Sequence, residues 1–444
     1  MTARFPAQHV DPSPLGQPLP FAFSGRVAPN RFLKGAMSER MASFTMEDVA
    51  GRGIPTPELV TLYKHWGEGE IGLNLTGNVM IAPDHLEAAG NMVIPSDAPF
   101  SGERFERFTQ LATDAKKNGS LIVAQVGHPG RQVADYIQPN PISASDVQLK
   151  GEMFGNKFAR PTPCTKEDIA AVTEGFVHAA EYLEKAGFDG MQLHAAHGYL
   201  LSQFLSSTTN NRTDEYGGEL KNRMRIILEI RDAIAARVSK EFIVGIKVNS
   251  VEFQDDGFQP EEAKILCQAL EKHEFDFVEL SGGTYEKWMG DMKRESTEKR
   301  EAFFLDFAQL IVPSLTKTKS YVTGGFRTVE GMIDALKIVD GVGLGRPLAQ
   351  EPYLCSHILA GKVDSVVMPN LDQYDFYTTA VASLMQMIQL GRGQHPINLG
   401  VQENVPVFYQ GVQELVAEKT KDFTGVYWGP SVKGYSAVLN RDVY

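Results

Sequence analysis

Eight short aliphatic or β-branched runs, each followed by a longer amphipathic or loop segment, recur along the 444 residues and confine the chain to folds built of βα units around a parallel sheet. The runs lie at Phe32–Met37, Ile71–Thr76, Leu121–Val126, Asp189–His194, Phe242–Val248, Phe275–Ser281, Ser320–Thr323 and Gly341–Leu344. Eight such units predict a closed barrel, the (β/α)8 TIM barrel of the α/β class, rather than an open sheet. The clearest outer helix starts at Thr165, an N-cap with Asp168 three residues later. It carries Ile169, Val172, Phe176, Ala179, Ala180 and Leu183 on one face and stops at Gly187. A second helix is expected through KNRMRIILEIRDAIAARV. The barrel is assigned residues 1–361, and a helical C-terminal extension residues 362–444. The extension holds one helix closed by Gly391, another through VFYQGVQELVAEK, and an aromatic tail at Tyr427, Trp428 and Tyr435, expected to dock on the barrel or on a neighbour. The Pro-, Gly- and Ser-rich stretch from Gly127 to Pro163 exceeds an ordinary loop and is a candidate lid.

A formal net charge of -12 argues against partners that are nucleic acids or anionic membranes, because both need a basic surface. No stretch approaches the length of apolar residues that spans a bilayer, and the proline-broken N-terminus lacks the apolar core of a secretory signal. Cys164, Cys267 and Cys355 are too dispersed for a disulfide framework or a CxxC metal pattern. A cytoplasmic protein in a reducing compartment is expected.

The segment HAAHGYLLSQFLSSTTNNRTDEYGG, from His194 to Gly218, begins where the fourth strand should end, at the barrel face that carries active sites. Two histidines and a tyrosine emerging together, His194, His197 and Tyr199, can hold a carbonyl oxygen and supply a proton. HxxH alone is ambiguous between a structural pair and metal ligands, but no third ligand in an HExxH or Cys pattern accompanies it, so no metal is expected. Glycine turns after strands seven and eight, Gly324-Gly325 and Gly345-Arg346, stand where such barrels bind phosphate through backbone N–H groups and a guanidinium. GVGLG lacks the final spacing and the downstream acid of a Rossmann fingerprint.

The His194–Gly218 segment, continuing to Asn222-Arg223, resembles the old yellow enzyme motif H-[GA]-[AN]-[HN]-G-Y-L, then N-x-R-x-D-x-Y-G-G and N-R. NRFLKGAMSERMA is similar to that family's first flavin-binding segment, VAQVGHPGRQ to its third-strand glutamine and H-x-G-R turn, and YVTGGFRTVEGM and GVGLGRPLAQEP to its phosphate turns. The resemblance covers most of the barrel. It implies FMN bound by Ala36, Met37, Ser38, Asn78, Gln125, Lys247, Gly324, Gly325, Gly345 and Arg346, with NADPH or NADH as hydride donor. Gln125 can both donate to and accept from the flavin pyrimidine edge. Lys247 stands where many relatives carry arginine, and its ammonium can neutralise charge developing near N1 and O2. Ser38 stands where relatives carry threonine or cysteine, so a hydroxyl rather than a thiol tunes the ring. The implied cycle is ping-pong: hydride reaches flavin N5 and then the β-carbon of a small activated alkene. His194 and His197 bind its carbonyl and Tyr199 protonates the α-carbon. A homo-oligomer is a further expectation.

Arg212, Asp214 and Asn222 are read as fixing the loop after strand four, His128 and Arg131 as ordering the third loop, and STEKREAFF as either a charged loop or a turn near the cofactor. Multidomain flavin reductases of the same barrel carry a cysteine cluster and nucleotide domains that this chain lacks. A flavin-binding protein redirected to biosynthetic redox or isomerase work is the alternative, against which His194, His197 and Tyr199 stand intact.

Overall fold

Side chains alternate across a strand, so a strand buried on both faces puts one parity into the barrel and the other against its helices. The computed structural model, which describes residues 2–153, 155–251, 257–282, 305–419 and 439, contains eight such strands. They are β1 (Phe32–Lys34), β2 (Leu73–Met80), β3 (Leu121–Gly127), β4 (Gly190–Ala195), β5 (Ile243–Val251), β6 (Phe277–Gly282), β7 (Lys319–Thr323) and β8 (Gly341–Leu344). All pair in parallel, and β1 joins both β8 and β2, closing the expected (β/α)8 barrel. Outside lie α1 (Pro57–Glu68), α2 (Gly102–Ala115), α3 (Lys166–Lys185), α4 (Leu200–Leu205), α5 (Arg225–Ala235), α6 (Pro260–Lys272) and α7 (Val329–Ala335), followed by α8 (Phe376–Gly391) and α9 (Asn404–Lys419).

The outward parity, including Ile122, Ala124, Met191, Leu193, Val244, Ile246, Val278 and Leu280, packs against the helices in one continuous core. The lower inward layer, with Leu33, Leu73, Leu75, Val123, Ile243, Phe277 and Tyr321, forms a separate cluster. A short antiparallel ribbon absent from the sequence expectations, Leu19–Pro20 against Val27–Ala28, inserts Leu19, Phe21 and Ala28 into that cluster and stoppers the lower end. Ligand access is thereby confined to the other end of the barrel.

The predicted strand boundaries hold within a few residues, and two of the departures build the upper rim. β1 ends at Lys34 instead of Met37: Gly35 still donates to the Leu344 carbonyl, but residues 36 to 38 then leave the sheet. β2 runs on to Met80 with a register shift between Leu75 and Asn78, which sets Asn78 beside Gln125 of β3. α3 has the predicted capping box of Thr165 and Asp168, and Gly187, at φ 87°, follows its end. The helix expected over KNRMRIILEIRDAIAARV is broken at Met224 into Leu220–Arg223 and α5.

α8 ends at the expected Gly391 and packs on α1. Tyr427, Trp428 and Tyr435 lie outside the described residues. A Cβ at Gly391 would come 2.7 Å from the backbone oxygen of Glu58 in α1 and press on Met41. Gly391→Val is therefore expected to lower stability by about 1–3 kcal/mol through overpacking, measured as a drop in urea midpoint at unchanged slope.

Candidate active site

Above the apolar layer the inward parity turns polar. Gln125, Gln192, Lys247, Glu279 and Thr323 follow, and His194, Asn249 and Ser281 stand one step higher; the register aligns Gln125 with Gln192, Lys247 with both His194 and Glu279, and Asn249 with Ser281. This polar floor opens into a cavity of about 350 Å³. The sequence-predicted residues Ala36, Met37, Ser38, Asn78, Gln125, His194, His197, Tyr199, Lys247, Gly324, Gly325, Gly345 and Arg346 all line it.

The turn after β4 gathers three of them. His197 sits in the left-handed region at φ 58°, with Gly198 at φ 78° beside it. Asn249 accepts from the His197 N–H at 3.2 Å, Gln132 donates to its carbonyl at 3.1 Å, and its Nε2 lies 2.9 Å from Ser281 Oγ. The His194 ring packs edge-on to Tyr199 at 4.4 Å and to His197 at 5.4 Å between centroids. Burial, with Lys247 nearby, holds the His194 imidazole well below its usual pKa, so it is neutral at pH 7 and acts as a hydrogen-bonding ring. Its Nδ1 is buried with no protein partner, as are Asn78 Oδ1 and Thr323 Oγ1.

At the rim, Ser38 lines the cavity and donates to Glu87 at 2.9 Å. Asn78 reaches both at 3.3 Å, and Arg40, in the left-handed region at φ 54°, pairs with Glu87 at 3.5 Å. The glycine corner lies on the β7–β8 side. Gly324 and Gly325 have φ of 138° and 90°, and a Cβ at Gly345 would meet nothing nearer than Met37 at 3.9 Å, so backbone there is accessible to a ligand. Arg346 donates to Thr379 at 2.6 Å, tying this corner to α8, whose Phe376, Ala380, Val381, Ser383, Leu384 and Met387 form the adjoining wall.

Sequence reasoning overlooked α8 as a wall, because an apolar helix stripe does not name what it covers. It also overlooked Arg40, Glu87, Met153, Ser281 and Arg327, although the polar alternation in VELSG marks Ser281 as facing inward. The Gly127–Pro163 excursion lies over the site: Leu149, Met153 and Phe158 cluster with Tyr199, and Met153 reaches the cavity. Arg131 holds it by donating to the Val147 carbonyl at 3.0 Å. Arg212 forks onto Asp214 and donates to the carbonyls of Ala144 and Cys164, fixing the loop after β4 to the excursion. Asn222 secures the Gly217 carbonyl. STEKREAFF lies outside the described residues. Among those described, no cluster of three or more His, Cys, Asp or Glu forms a metal site, and no helix is long and apolar enough to cross a membrane.

Residues 28–364 match the NADH:flavin oxidoreductase / NADH oxidase family. An NADH-dependent flavin oxidoreductase of Aspergillus parasiticus is 56% identical over 417 residues, 94% of each chain. Another of that description from Talaromyces variabilis is 36% identical over 74% of this chain and 83% of its own. A 12-oxophytodienoate reductase of Oryza sativa subsp. japonica is 35% identical over 180 residues, 39% of this chain and 47% of its own. In structure, the fold is similar to that of a 2-naphthoyl-CoA reductase, with a TM-score of 0.74 and 20% identity over 86% of this chain and 58% of that one.

Burial also holds His128, ring-packed on His85 at 4.6 Å, well below its usual pKa. Below about pH 6.5 the unfolded chain protonates both His128 and His194 while the native state resists, so stability falls as pH falls through that window. His128→Gln is expected to remove about one proton, roughly 1.4 kcal/mol per pH unit at most, from that slope. Urea unfolding between about pH 7 and pH 5 checks it, and an unchanged slope refutes it.

Proposed function

The chain belongs to the NADH:flavin oxidoreductase / NADH oxidase family, that of the old yellow enzymes, and is an FMN-dependent oxidoreductase using a reduced nicotinamide nucleotide; within this family we propose that it is an ene-reductase acting on activated alkenes such as α,β-unsaturated carbonyls. The observation that carries this reading is the convergence of His194, His197 and Tyr199 on the cavity that also holds the glycine corner, Gln125 and Lys247. The relatives described as NADH-dependent favour NADH as donor, and the one described as a 12-oxophytodienoate reductase favours an oxo-activated acceptor.

The residues present fit FMN. The orphaned Asn78 Oδ1 and Thr323 Oγ1 await partners at the cavity wall, and the open glycine corner beside Arg346 suits a phosphate. When bound, FMN supplies two-electron chemistry, taking hydride from the nicotinamide and giving it to the alkene.

The protein's part is orientation, electrostatics and a proton. A neutral imidazole at His194 and the ring of His197 donate hydrogen bonds to the substrate's carbonyl oxygen, where negative charge grows as hydride arrives at the β-carbon. Tyr199, buried between the His194 ring and Met153, delivers the phenolic proton to the α-carbon. The excursion bearing Met153 keeps water from this side, so the hydrogen bonds act in a medium of low polarity.

Denaturation is expected to release FMN, identified by chromatography; release of FAD, or of no flavin, overturns the cofactor assignment. Tyr199→Phe should leave the NADH-driven bleaching of the visible flavin band nearly unchanged and slow reoxidation by an enone roughly 10²-fold. Stopped-flow absorbance separates the two half-reactions. A variant slow in the first and normal in the second refutes the proton-donor role, and a flavin-loaded wild type that reoxidises with no enone favours the redirected-redox reading.

A further inference from the structure

A carboxylate with no solvent exposure lies in the barrel beneath the cavity. Glu279 does not line the cavity, yet its two oxygens are committed to groups that lead there. Oε1 accepts from Lys247 Nζ at 2.9 Å and Oε2 accepts from Gln192 Nε2 at 2.8 Å. An ionised carboxylate only accepts, so Gln192 must turn its amide nitrogen toward Glu279 and its carbonyl oxygen away. That oxygen receives Gln125 Nε2 at 2.8 Å. The amide orientation of Gln125, two links from the acid, follows from the acid's inability to donate, and it leaves the Gln125 carbonyl oxygen for the cavity.

From this geometry we infer that Glu279 is a positioning residue with two outputs: it compensates the charge of Lys247, and it fixes the hydrogen-bonding face that Gln125 presents to the cofactor. The inference rests on the FMN reading above. Lys34, whose ammonium is also within electrostatic reach of Glu279, feels Glu39 as well. A compensated ammonium stabilises an anionic reduced cofactor less than a lone ammonium does. The pair thus keeps the bound flavin a stronger hydride donor while retaining a cation to orient it.

The sign pattern of the flavin potential tests this, read in anaerobic titrations of holoenzyme against reference dyes. Glu279→Gln should favour the reduced form at least tenfold, an upward shift of about 30 mV for a two-electron couple. Lys247→Gln should shift it downward by a similar amount. The double variant, a neutral amide pair, should return close to wild type, a cancellation that a merely structural role for Glu279 would not produce. Gln192→Met leaves the charges in place, so it should hold the potential and instead weaken FMN retention about tenfold, read by flavin fluorescence on dilution.

A Lys247→Gln shift with none in Glu279→Gln overturns the assignment to Glu279 and leaves the FMN reading standing. Failure of the double variant to cancel, or unchanged retention in Gln192→Met, also overturns it. No shift in either single variant overturns the placement of Lys247 against the cofactor, and with it this inference. Should Glu279→Gln fail to fold, the double variant and Gln192→Met still decide it.

Discussion

Lys247 and Glu279 sit buried in the barrel above an apolar layer, and charges taken out of water survive only when each is paired and its remaining hydrogen-bonding capacity is used. The pair meets that condition through adjacent strands: parallel register sets Lys247 of β5 directly beside Glu279 of β6. Gln192 takes the second carboxylate oxygen and Gln125 takes Gln192. Four strands are thereby joined by side chains as well as by their backbone ladder. The rest of the site stands on this layer, since His194 and Ser281 are the next inward residues above Gln192 and Glu279.

Below the polar layer, the apolar plug formed by the N-terminal ribbon decides which end of the barrel is open. Above it, three irregularities shape the opening. Departure of the chain from β1 after Lys34 brings Met37 and Ser38 to the rim, the register shift in β2 presents Asn78, and the left-handed turn at His197 lets its ring approach Ser281 while its backbone is held by Asn249 and Gln132. Each departs from regular structure to deliver a side chain, and each is held in place by hydrogen bonds.

Two additions to the plain barrel complete the walls. The excursion after β3 covers Tyr199 with Met153, Leu149 and Phe158, and Arg212 clamps it to the loop after β4. From the other side α8, seated on α1, supplies an apolar wall and receives Arg346 on Thr379. The helical extension thus contributes to the pocket itself.

The barrel was legible because its eight strands are local apolar runs separated by helix signals, and strand period is a property of neighbouring residues. His194, His197, Tyr199 and the glycine turns could be named because they lie in contiguous motifs, and the structure gathers them with Ala36, Met37, Ser38, Asn78, Gln125, Lys247 and Arg346 around one cavity. Glu279 and Gln192 were marked in the sequence too, as polar residues alternating with apolar ones in VELSG and MQLHA, but the alternation gives a face and not a partner. Which polar residue meets which depends on strand register, and register is fixed only when the barrel closes. Glu87 against Ser38, Met153 against Tyr199 and α8 against the glycine corner join segments tens of residues apart, or bridge them through loops without period. Only tertiary packing decided those contacts, because a chain's local pattern sets what each segment can bury and not which distant surface will bury it.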